Sequence, residues 1–177
     1  VIKLAIVPNS IEMAKATWVP MEFLLTRGQG IKVFSQLMYA TLKENMVIYT
    51  PDRSKIADEQ APYEGATVLP PLTAAYTDYP ITGLDFASLY PTIMRAHNLC
   101  HSTIVLDPKY ENVPGVVYLE KDGHKFSQKT EGIVPKLLKT LANNRKQAKK
   151  DMKAAKERGD NFMYSVFNGK QLAFKVS

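Results

Sequence analysis

The chain has 177 residues, of which 45% are apolar and 23% charged, and it carries a formal net charge of +6. This ordinary globular composition excludes a collagen-like, fully disordered or coiled-coil protein, and the single cysteine, Cys100, excludes a disulfide framework or a zinc site built from several thiolates. Because no apolar run reaches the ~18 residues of a membrane span and no signal peptide opens the chain, we expect a soluble protein of a reducing compartment.

The amino-terminal part of the chain predicts helices. Residues 8–10 (Pro-Asn-Ser) predict a turn, after which a short helix begins at Ile11. Apolar residues then recur at helical spacing over residues 20–43, and the stretch 27–30, which contains two glycines, interrupts them.

The middle of the chain predicts short strands and loops. Residues 46–50 and 68–71 have the apolar, β-branched composition of strands, and the polar stretch 51–61 predicts a mobile loop. Residues 79–86 predict a buried strand that leads into a helix from about Ser88.

The remaining residues predict a β-hairpin followed by two helices. Residues 116–120 and 125–128 flank an Asp-Gly pair, which is a strong signal for a two-residue hairpin turn. We expect one helix over residues 133–157 and a second from Asn161 to the end, joined by a tight turn into an antiparallel helical hairpin. The predicted fold class is α+β. Since the chain begins with Val1 and ends inside a predicted helix, we expect an internal fragment of a longer protein.

The positive charge is concentrated in the first of these two helices. Residues 133–158 hold nine basic side chains against only Asp151 and Glu157, a local charge of +7, so the rest of the chain is close to neutral. A basic helix of this kind predicts a polyanionic partner such as a nucleic acid or a nucleoside triphosphate. The alternative is a helix face that is merely solvated.

Asp85 is the most informative acidic residue, since it lies near the end of the predicted strand over residues 79–86 in apolar surroundings. A carboxylate in such a place is costly unless it is paired or binds a cation. Beside the start of a helix, it could hold a cation that in turn holds phosphates. The alternative is that Asp85 only caps the helix that begins near Ser88.

The sequence LDFASLYPTIMRAHNLC, over residues 84–100, closely resembles motif A of the family B DNA polymerases. The resemblance is strongest to the delta-type branch, which includes the enzymes of large DNA viruses. It implies that Asp85 and the backbone carbonyl of Phe86 ligate the catalytic magnesium, of which the intact enzyme binds two ions.

The same motif implies three contacts to the incoming nucleotide. The backbone amides of Ser88 and Leu89 would contact the triphosphate. The ring of Tyr90 would lie under the sugar and leave no room for a 2′-hydroxyl group, which is a physical basis for rejecting ribonucleotides.

Basic residues of the two predicted helices extend the nucleotide site. Arg145 and Lys149 are spaced i, i+4 and therefore share a helix face, and Lys175 lies on the second helix. The stretch 137–149 is similar to the first fingers helix of family B polymerases, and 168–177 to the start of motif B. The resemblance implies that these three cations bind the triphosphate, whereas the alternative is two independently solvated faces.

A short motif in the middle of the chain points to DNA. Residues 63–66, Tyr-Glu-Gly-Ala, are similar to the Tyr-x-Gly-Gly/Ala motif at the junction of the exonuclease and polymerase regions, which implies DNA binding by Tyr63, Gly65 and Ala66. The resemblance divides the chain into three regions. Residues 1–62 would be a mostly helical linker between the exonuclease and the palm, and residues 63–130 a part of the palm with motif A. Residues 131–177 would be a fingers helical hairpin that runs into motif B.

The resemblance implies a DNA-directed DNA polymerase that transfers nucleotides from deoxynucleoside triphosphates to a primer 3′-end. Its cofactor would be Mg²⁺, and its partners primer–template DNA, deoxynucleoside triphosphates and a sliding clamp, with no membrane. It would work inside the cell, in the nucleus or at a cytoplasmic replication site if it is viral. A second catalytic carboxylate motif is absent from the sequence, so we expect the chain to be inactive alone.

Two rival functions stay open from the residues. A nucleic-acid-binding module without catalysis would explain the basic helix but not the motif around Asp85, and a relative that has lost catalysis would retain both. A metal site at His97, Cys100 and His101 is not expected, because three ligands crowded together in sequence rarely close a tetrahedral site.

Overall fold

The computed structural model describes residues 2–48, 65–121 and 123–176. The chain divides into two compact units, one formed by Val1–Val47 with Ser88–Ser177 and the other by Ile48–Ala87. The polar stretch 51–61 and Tyr63 lie outside the described residues. All the helices and strands described below belong to the first unit.

The first unit is mainly helical. Its α-helices are α1 (Ile2–Thr17), α2 (Met21–Thr26), α3 (Gln29–Lys43), α4 (Leu89–Ala96), α5 (Ile133–Glu157) and α6 (Asn161–Val176), and a 3₁₀-helix covers Pro108–Tyr110. The break between α2 and α3 falls at Arg27 and Gly28, within the predicted interruption. Among the described residues, none of the helices combines the length and the hydropathy needed to cross a bilayer.

Helix α1 corrects one prediction. The turn predicted at residues 8–10 is wrong, because α1 continues through Pro8 without a break. A proline inside a helix is unfavourable by ~3 kcal/mol, so other contacts must hold the helix together. Helix α1 packs along α6, where the side chain of Asn9 occupies the space that a Cβ atom on Gly169 would fill.

A three-stranded antiparallel sheet packs with these helices in one unit. Its strands are β1 (Ile104–Val105), β2 (Tyr118–Lys121) and β3 (His124–Ser127), in the order β1-β3-β2. Leu119 lies opposite Phe126, and Gly123 takes the positive φ of 75° that the connection requires. The mixed helix-and-sheet class is confirmed.

An ion pair supports the sheet. Lys125 Nζ donates a hydrogen bond of 3.0 Å to Glu111 Oε2, and this bond is the main reason that the pKa of Lys125 is raised. Because the lysine is charged at every pH below that raised pKa, the pair persists at neutral pH.

Two predicted strands are absent from the described residues, and a third lies partly outside them. Residues 46–48, 68–71 and 79–86 are irregular, and residues 68–71 and 79–86 are exposed; residues 49–50 lie outside the described part. A strand needs a neighbour to bond its backbone N–H and C=O groups. In the described ranges no strand pairs with these stretches, so apolar composition alone does not make them strands.

Small side chains form the interface between α5 and α6. Ala148 and Ala155 of α5 are 1% and 0% exposed, and Ala173 of α6 is 0% exposed. These two helices pack against each other and are joined by only residues 158–160. Alanine at these positions lets the two backbones approach closely.

The amino-terminal helices meet around the single tryptophan. Trp18 has a positive φ of 58° and stacks on Tyr39 of α3, with the two ring centroids 4.1 Å apart. Ser35 Oγ donates a hydrogen bond of 2.6 Å to the Trp18 carbonyl, and Lys43 Nζ lies 4.5 Å from the centroid of the Tyr39 ring. These contacts fix the chain where it passes from α1 to α2.

Candidate functional site

Three cations towards the two ends of α5 are paired. Lys136 Nζ lies 3.0 Å from Glu44, Lys139 Nζ lies 3.9 Å from Glu131, and Lys153 Nζ lies 3.9 Å from Glu157. Carboxylates therefore offset part of the charge of the helix at both of its ends.

The cations in the middle of α5 have no such partners. Four of them lie on two successive turns, and within the described ranges no carboxylate is within salt-bridge distance of any of the four. They are Arg145, Lys146, Lys149 and Lys150. The nearby Asp151 instead accepts a hydrogen bond of 2.8 Å from Gln147 Nε2. The central two turns of α5 thus present uncompensated positive charge, which attracts anions.

Arg145 differs from the lysines around it because it is half-buried. It lies on the same helix face as Leu141 and Ala148, which are both buried. Its Nε atom is enclosed and has no hydrogen-bond partner among the described residues. Enclosing a donor without a partner costs ~1–3 kcal/mol.

Lys175 lies on the neighbouring helix, at a height similar to that of Arg145. From Gly159 in the connection, Arg145 is about 21 Å back along α5 and Lys175 is about 24 Å forward along α6, at 1.5 Å per residue. Lys175 is exposed, and one turn before it Gln171 is buried and donates a hydrogen bond of 3.2 Å to Asn168 Oδ1. Packing of α5 on α6 therefore places Arg145, in the middle of α5, and Lys175, near the end of α6, at a similar height along the helix pair.

Three more of the predicted site residues lie at the start of α4. Ser88 precedes the helix with φ 53° and ψ 61°, a left-handed conformation that residues other than glycine seldom adopt. The side chain of Ser88 makes no capping hydrogen bond to this helix. Leu89 and Tyr90 are 40% and 75% exposed, which leaves both accessible to a ligand.

Asp85 and Phe86 belong to the second unit, Ile48–Ala87. The prediction that Asp85 follows a buried strand is wrong, because residues 79–86 are irregular and exposed. Asp85 has no ion-pair partner among the described residues. Its carboxylate is thus free to bind a cation.

The remaining predicted site residues lie in the same unit, and one of them, Tyr63, lies outside the described residues. Gly65 and Ala66 are exposed and irregular, and a Cβ atom on Gly65 would meet nothing within 4 Å. In the part of the chain that the structure describes, no three His, Cys, Asp or Glu side chains cluster as metal ligands would, and this part includes His97, Cys100 and His101.

Sequence reasoning missed the residues that hold the start of α5. Asn98, Cys100 and Ser102 contact the backbone of residues 132–134 through their side chains. The sequence offered one signal for this arrangement, because Gly132 stands where helices usually carry a Ser, Thr, Asp or Asn cap.

Comparisons with known proteins assign a family to most of the chain. The family model described as DNA polymerase family B matches residues 19–177. The DNA polymerase delta catalytic subunit of Arabidopsis thaliana is 45% identical over 180 residues, which cover 99% of this chain and 16% of that protein. A DNA polymerase of Paramecium bursaria Chlorella virus NY2A is 41% identical over 184 residues, which cover 98% of this chain and 20% of that protein.

A solved structure gives the same result. The family B DNA polymerase of the hyperthermophilic archaeon Pyrobaculum calidifontis superposes with a TM-score of 0.69 and 28% identity, over 96% of this chain and 21% of that one. The chain spans only about a sixth of the length of the delta catalytic subunits that it matches.

Proposed function

The chain belongs to DNA polymerase family B, and on this premise we propose that it is part of a DNA-directed DNA polymerase that extends a primer by template-dependent nucleotidyl transfer. The observation that carries the proposal is the family match, since residues 19–177 include every site residue named above. The uncompensated cations in the middle of α5 support it, because a triphosphate is a ligand of matching charge.

The proposal assigns a part of the polymerase to each segment. Residues 1–62 would link the exonuclease region to the palm, residues 63–130 would form part of the palm with its β-hairpin, and residues 131–177 would form the fingers. In this assignment α5 and α6 are the antiparallel helical hairpin of the fingers. Their tight connection and their shared alanine interface support that assignment.

Asp85 and the backbone carbonyl of Phe86 would hold magnesium. The fit is good because Mg²⁺ is usually bound through only one or two carboxylates, together with water and substrate phosphates. Asp85 is an exposed carboxylate without an ion-pair partner among the described residues. When bound, the metal would lower the pKa of the primer 3′-hydroxyl and offset negative charge on the phosphates.

The cations of the helix pair would bind and orient the triphosphate. Arg145 has an enclosed Nε donor without a partner, while Lys149 and Lys175 are exposed. A guanidinium can bind two phosphate oxygens at once, whereas the lysines supply point charges that stabilise the departing pyrophosphate.

The start of α4 would contact both the triphosphate and the sugar of the nucleotide. The backbone amides of Ser88 and Leu89 would donate hydrogen bonds to the triphosphate, and the exposed ring of Tyr90 would lie under the deoxyribose. A ring in that place would exclude a 2′-hydroxyl group by its volume.

The remaining proposed contacts are with DNA and a partner protein. Tyr63, Gly65 and Ala66 would contact the template backbone, which the exposure of Gly65 and Ala66 permits. The partners would be primer–template DNA, deoxynucleoside triphosphates and a sliding clamp, at the place in the cell where DNA is copied.

Asp85→Asn tests the proposal in the polymerase that contains this chain. The amide keeps the size of the side chain but loses the charge that holds a divalent cation, so we expect nucleotide incorporation to fall by at least about 10³-fold. Primer–template affinity should stay unchanged. The measurement is single-nucleotide primer extension, together with a binding titration of the same duplex.

Asp78→Asn is the matched control, because Asp78 is another exposed carboxylate in the same unit. It should leave incorporation unchanged. Full activity of Asp85→Asn would remove Asp85 from the reaction. A parent protein that binds primer–template but never extends it would instead favour the nucleic-acid-binding module that the basic helix alone could explain.

A further inference from the structure

Helix α5 begins without a cap of its own. The first N–H groups of a helix have no partner within it and are usually bonded by a side chain at the residue before the helix. In α5 that residue is Gly132, which has no side chain to offer. The helix therefore depends on groups from elsewhere in the chain.

Three side chains from the loop of residues 98–102 supply the missing acceptors. The N–H of Gly132 donates to Asn98 Oδ1 at 2.7 Å, that of Ile133 to Ser102 Oγ at 3.2 Å, and that of Val134 to Cys100 Sγ at 3.3 Å. The next residue is a proline without an N–H, and the N–H after it bonds within the helix, to the Gly132 carbonyl. Every free N–H donor at the start of α5 is thus bonded by a side chain that is distant in sequence.

Asn98 also ends α4. It has a positive φ of 51° directly after the helix, and the N–H of Leu99 donates to the Met94 carbonyl at 3.0 Å, as in the Schellman motif. Its buried amide nitrogen donates to the carbonyls of Ser127 and Thr130, at 2.8 Å each. One side chain therefore joins the end of α4, the end of β3 and the start of α5.

We propose that Asn98 is a positioning residue that fixes the direction of α5 relative to α4. The inference rests on the proposed function, in which Tyr90 at the start of α4 and Arg145 on α5 bind the same nucleotide. Because a small rotation at the base of a helix is amplified along its length, loosening this junction would displace Arg145 from the phosphates. Nucleotide binding would then weaken without any change at a residue that touches the nucleotide.

Gly132 gives a way to loosen the junction. A Cβ atom at Gly132 would lie 2.7 Å from Cys100 Cβ and 3.1 Å from Thr103 Cγ2, so Gly132→Ala must push the start of α5 away from the loop. Gly28 is a matched control, since it precedes α3 with φ −73° against φ −67° at Gly132. A Cβ atom on Gly28 would meet nothing within 4 Å.

The experiment compares Gly132→Ala with Gly28→Ala in the polymerase that contains this chain. We expect Gly132→Ala to raise the KM for the deoxynucleoside triphosphate by about 10- to 100-fold while primer–template affinity is unchanged. Gly28→Ala should leave both quantities as they are in the parent. An unchanged KM in Gly132→Ala, or an equal rise in both variants, would overturn the inference.

Asn98→Gly provides a second test, which stays informative if Gly132→Ala does not fold. Glycine keeps the positive φ that ends α4 but removes the acceptor for the Gly132 N–H. We expect hydrogen exchange at the Gly132 amide to accelerate by about tenfold and the nucleotide KM to rise. Asn45→Gly is its control, because Asn45 also has a positive φ, of 54°, and is exposed.

These readouts separate the inference from the proposed function. An unchanged exchange rate at the Gly132 amide in Asn98→Gly would reject the capping role whatever the activity of the protein. A parent protein that incorporates no nucleotide would reject the proposed function, while faster exchange in Asn98→Gly would still support the role of Asn98 in holding α5.

Discussion

Arg145 is the residue at which stability and the proposed binding of a nucleotide conflict. Its Nε donor is enclosed without a partner among the described residues, although the side chain lies on the same face of α5 as the buried Leu141 and Ala148. An apolar side chain of similar length would fill the same space without an unsatisfied donor. The arginine therefore stabilises the free protein less than its position allows, which is expected of a residue that serves a ligand.

Arg145→Met should separate these two effects. We expect the KM for the nucleotide to rise by about 10- to 100-fold, the factor that corresponds to losing one or two hydrogen bonds to a charged group. The melting temperature should stay the same or increase, because the unsatisfied donor is gone. Steady-state kinetics and thermal unfolding of the polymerase provide the two measurements.

Arg158→Met is the control for this change, since Arg158 is exposed at the end of the same helix. It should alter neither the nucleotide KM nor the melting temperature. If Arg145→Met lowered the melting temperature and left the KM as it was, Arg145 would be a structural residue.

At the scale of elements, the helix pair α5–α6 depends on close approach. Ala155 is fully buried near the connection between the two helices, and Ala148 is 1% exposed two turns earlier. Larger side chains at these positions would force the helices apart, because the interior has little spare volume.

Ala155→Leu should therefore destabilise the unit by ~1–3 kcal/mol, the usual cost of overpacking. Ala142→Leu on the same helix is exposed and should have almost no effect, since both residues are good helix formers. Chemical denaturation measures the difference between the two variants. Equal stabilities would show that the interface has room for a larger side chain.

Helices and strands differed in how well the sequence predicted them. The expected bounds of α5, residues 133–157, are those of the structure, because a long amphipathic pattern lies between Gly132 and Gly159. The strand expected over residues 79–86 is absent, since a strand depends on partners that its own sequence does not specify. The turn expected at Pro8 failed because packing against α6 outweighs local preference.

For the molecule as a whole, the distribution of charge matters more than its total of +6. Three lysines in the middle of α5 are unpaired among the described residues, whereas three towards its ends face carboxylates. When a polyanion binds, we expect each unpaired lysine to replace a counterion of the polyanion, and each paired lysine to replace less than one.

Two triple variants of equal charge test this expectation. Replacing Lys146, Lys149 and Lys150 by Gln should reduce the slope of log affinity against log salt, for a single-stranded oligonucleotide, by up to ~2. Replacing Lys136, Lys139 and Lys153 by Gln should change the slope less, because nearby carboxylates already offset those charges. Identical slopes in the two variants would show that the pairing has no influence on polyanion binding.

The candidate site was predictable in part. The motif around Asp85 and the spacing of Arg145 and Lys149 predict site residues from sequence because each pattern is local, and their roles stay predictions. The link from Asn98 to Gly132 joins residues that are 34 apart, and no local pattern predicts such a contact. The enclosure of Arg145 Nε likewise depends on how two helices pack.

The stacked pair of Trp18 and Tyr39 has an optical consequence. Trp18 is the single tryptophan among the 177 residues, is 56% exposed, and lies with its ring centroid 4.1 Å from that of Tyr39. Light at the red edge of the aromatic absorption band excites tryptophan and not tyrosine, so in this segment it excites Trp18 alone. The emission of Trp18 and its quenching by iodide therefore report the junction of α1 and α3. Separation of that junction would shift the emission, so the segment has a built-in fluorescent probe that requires no label.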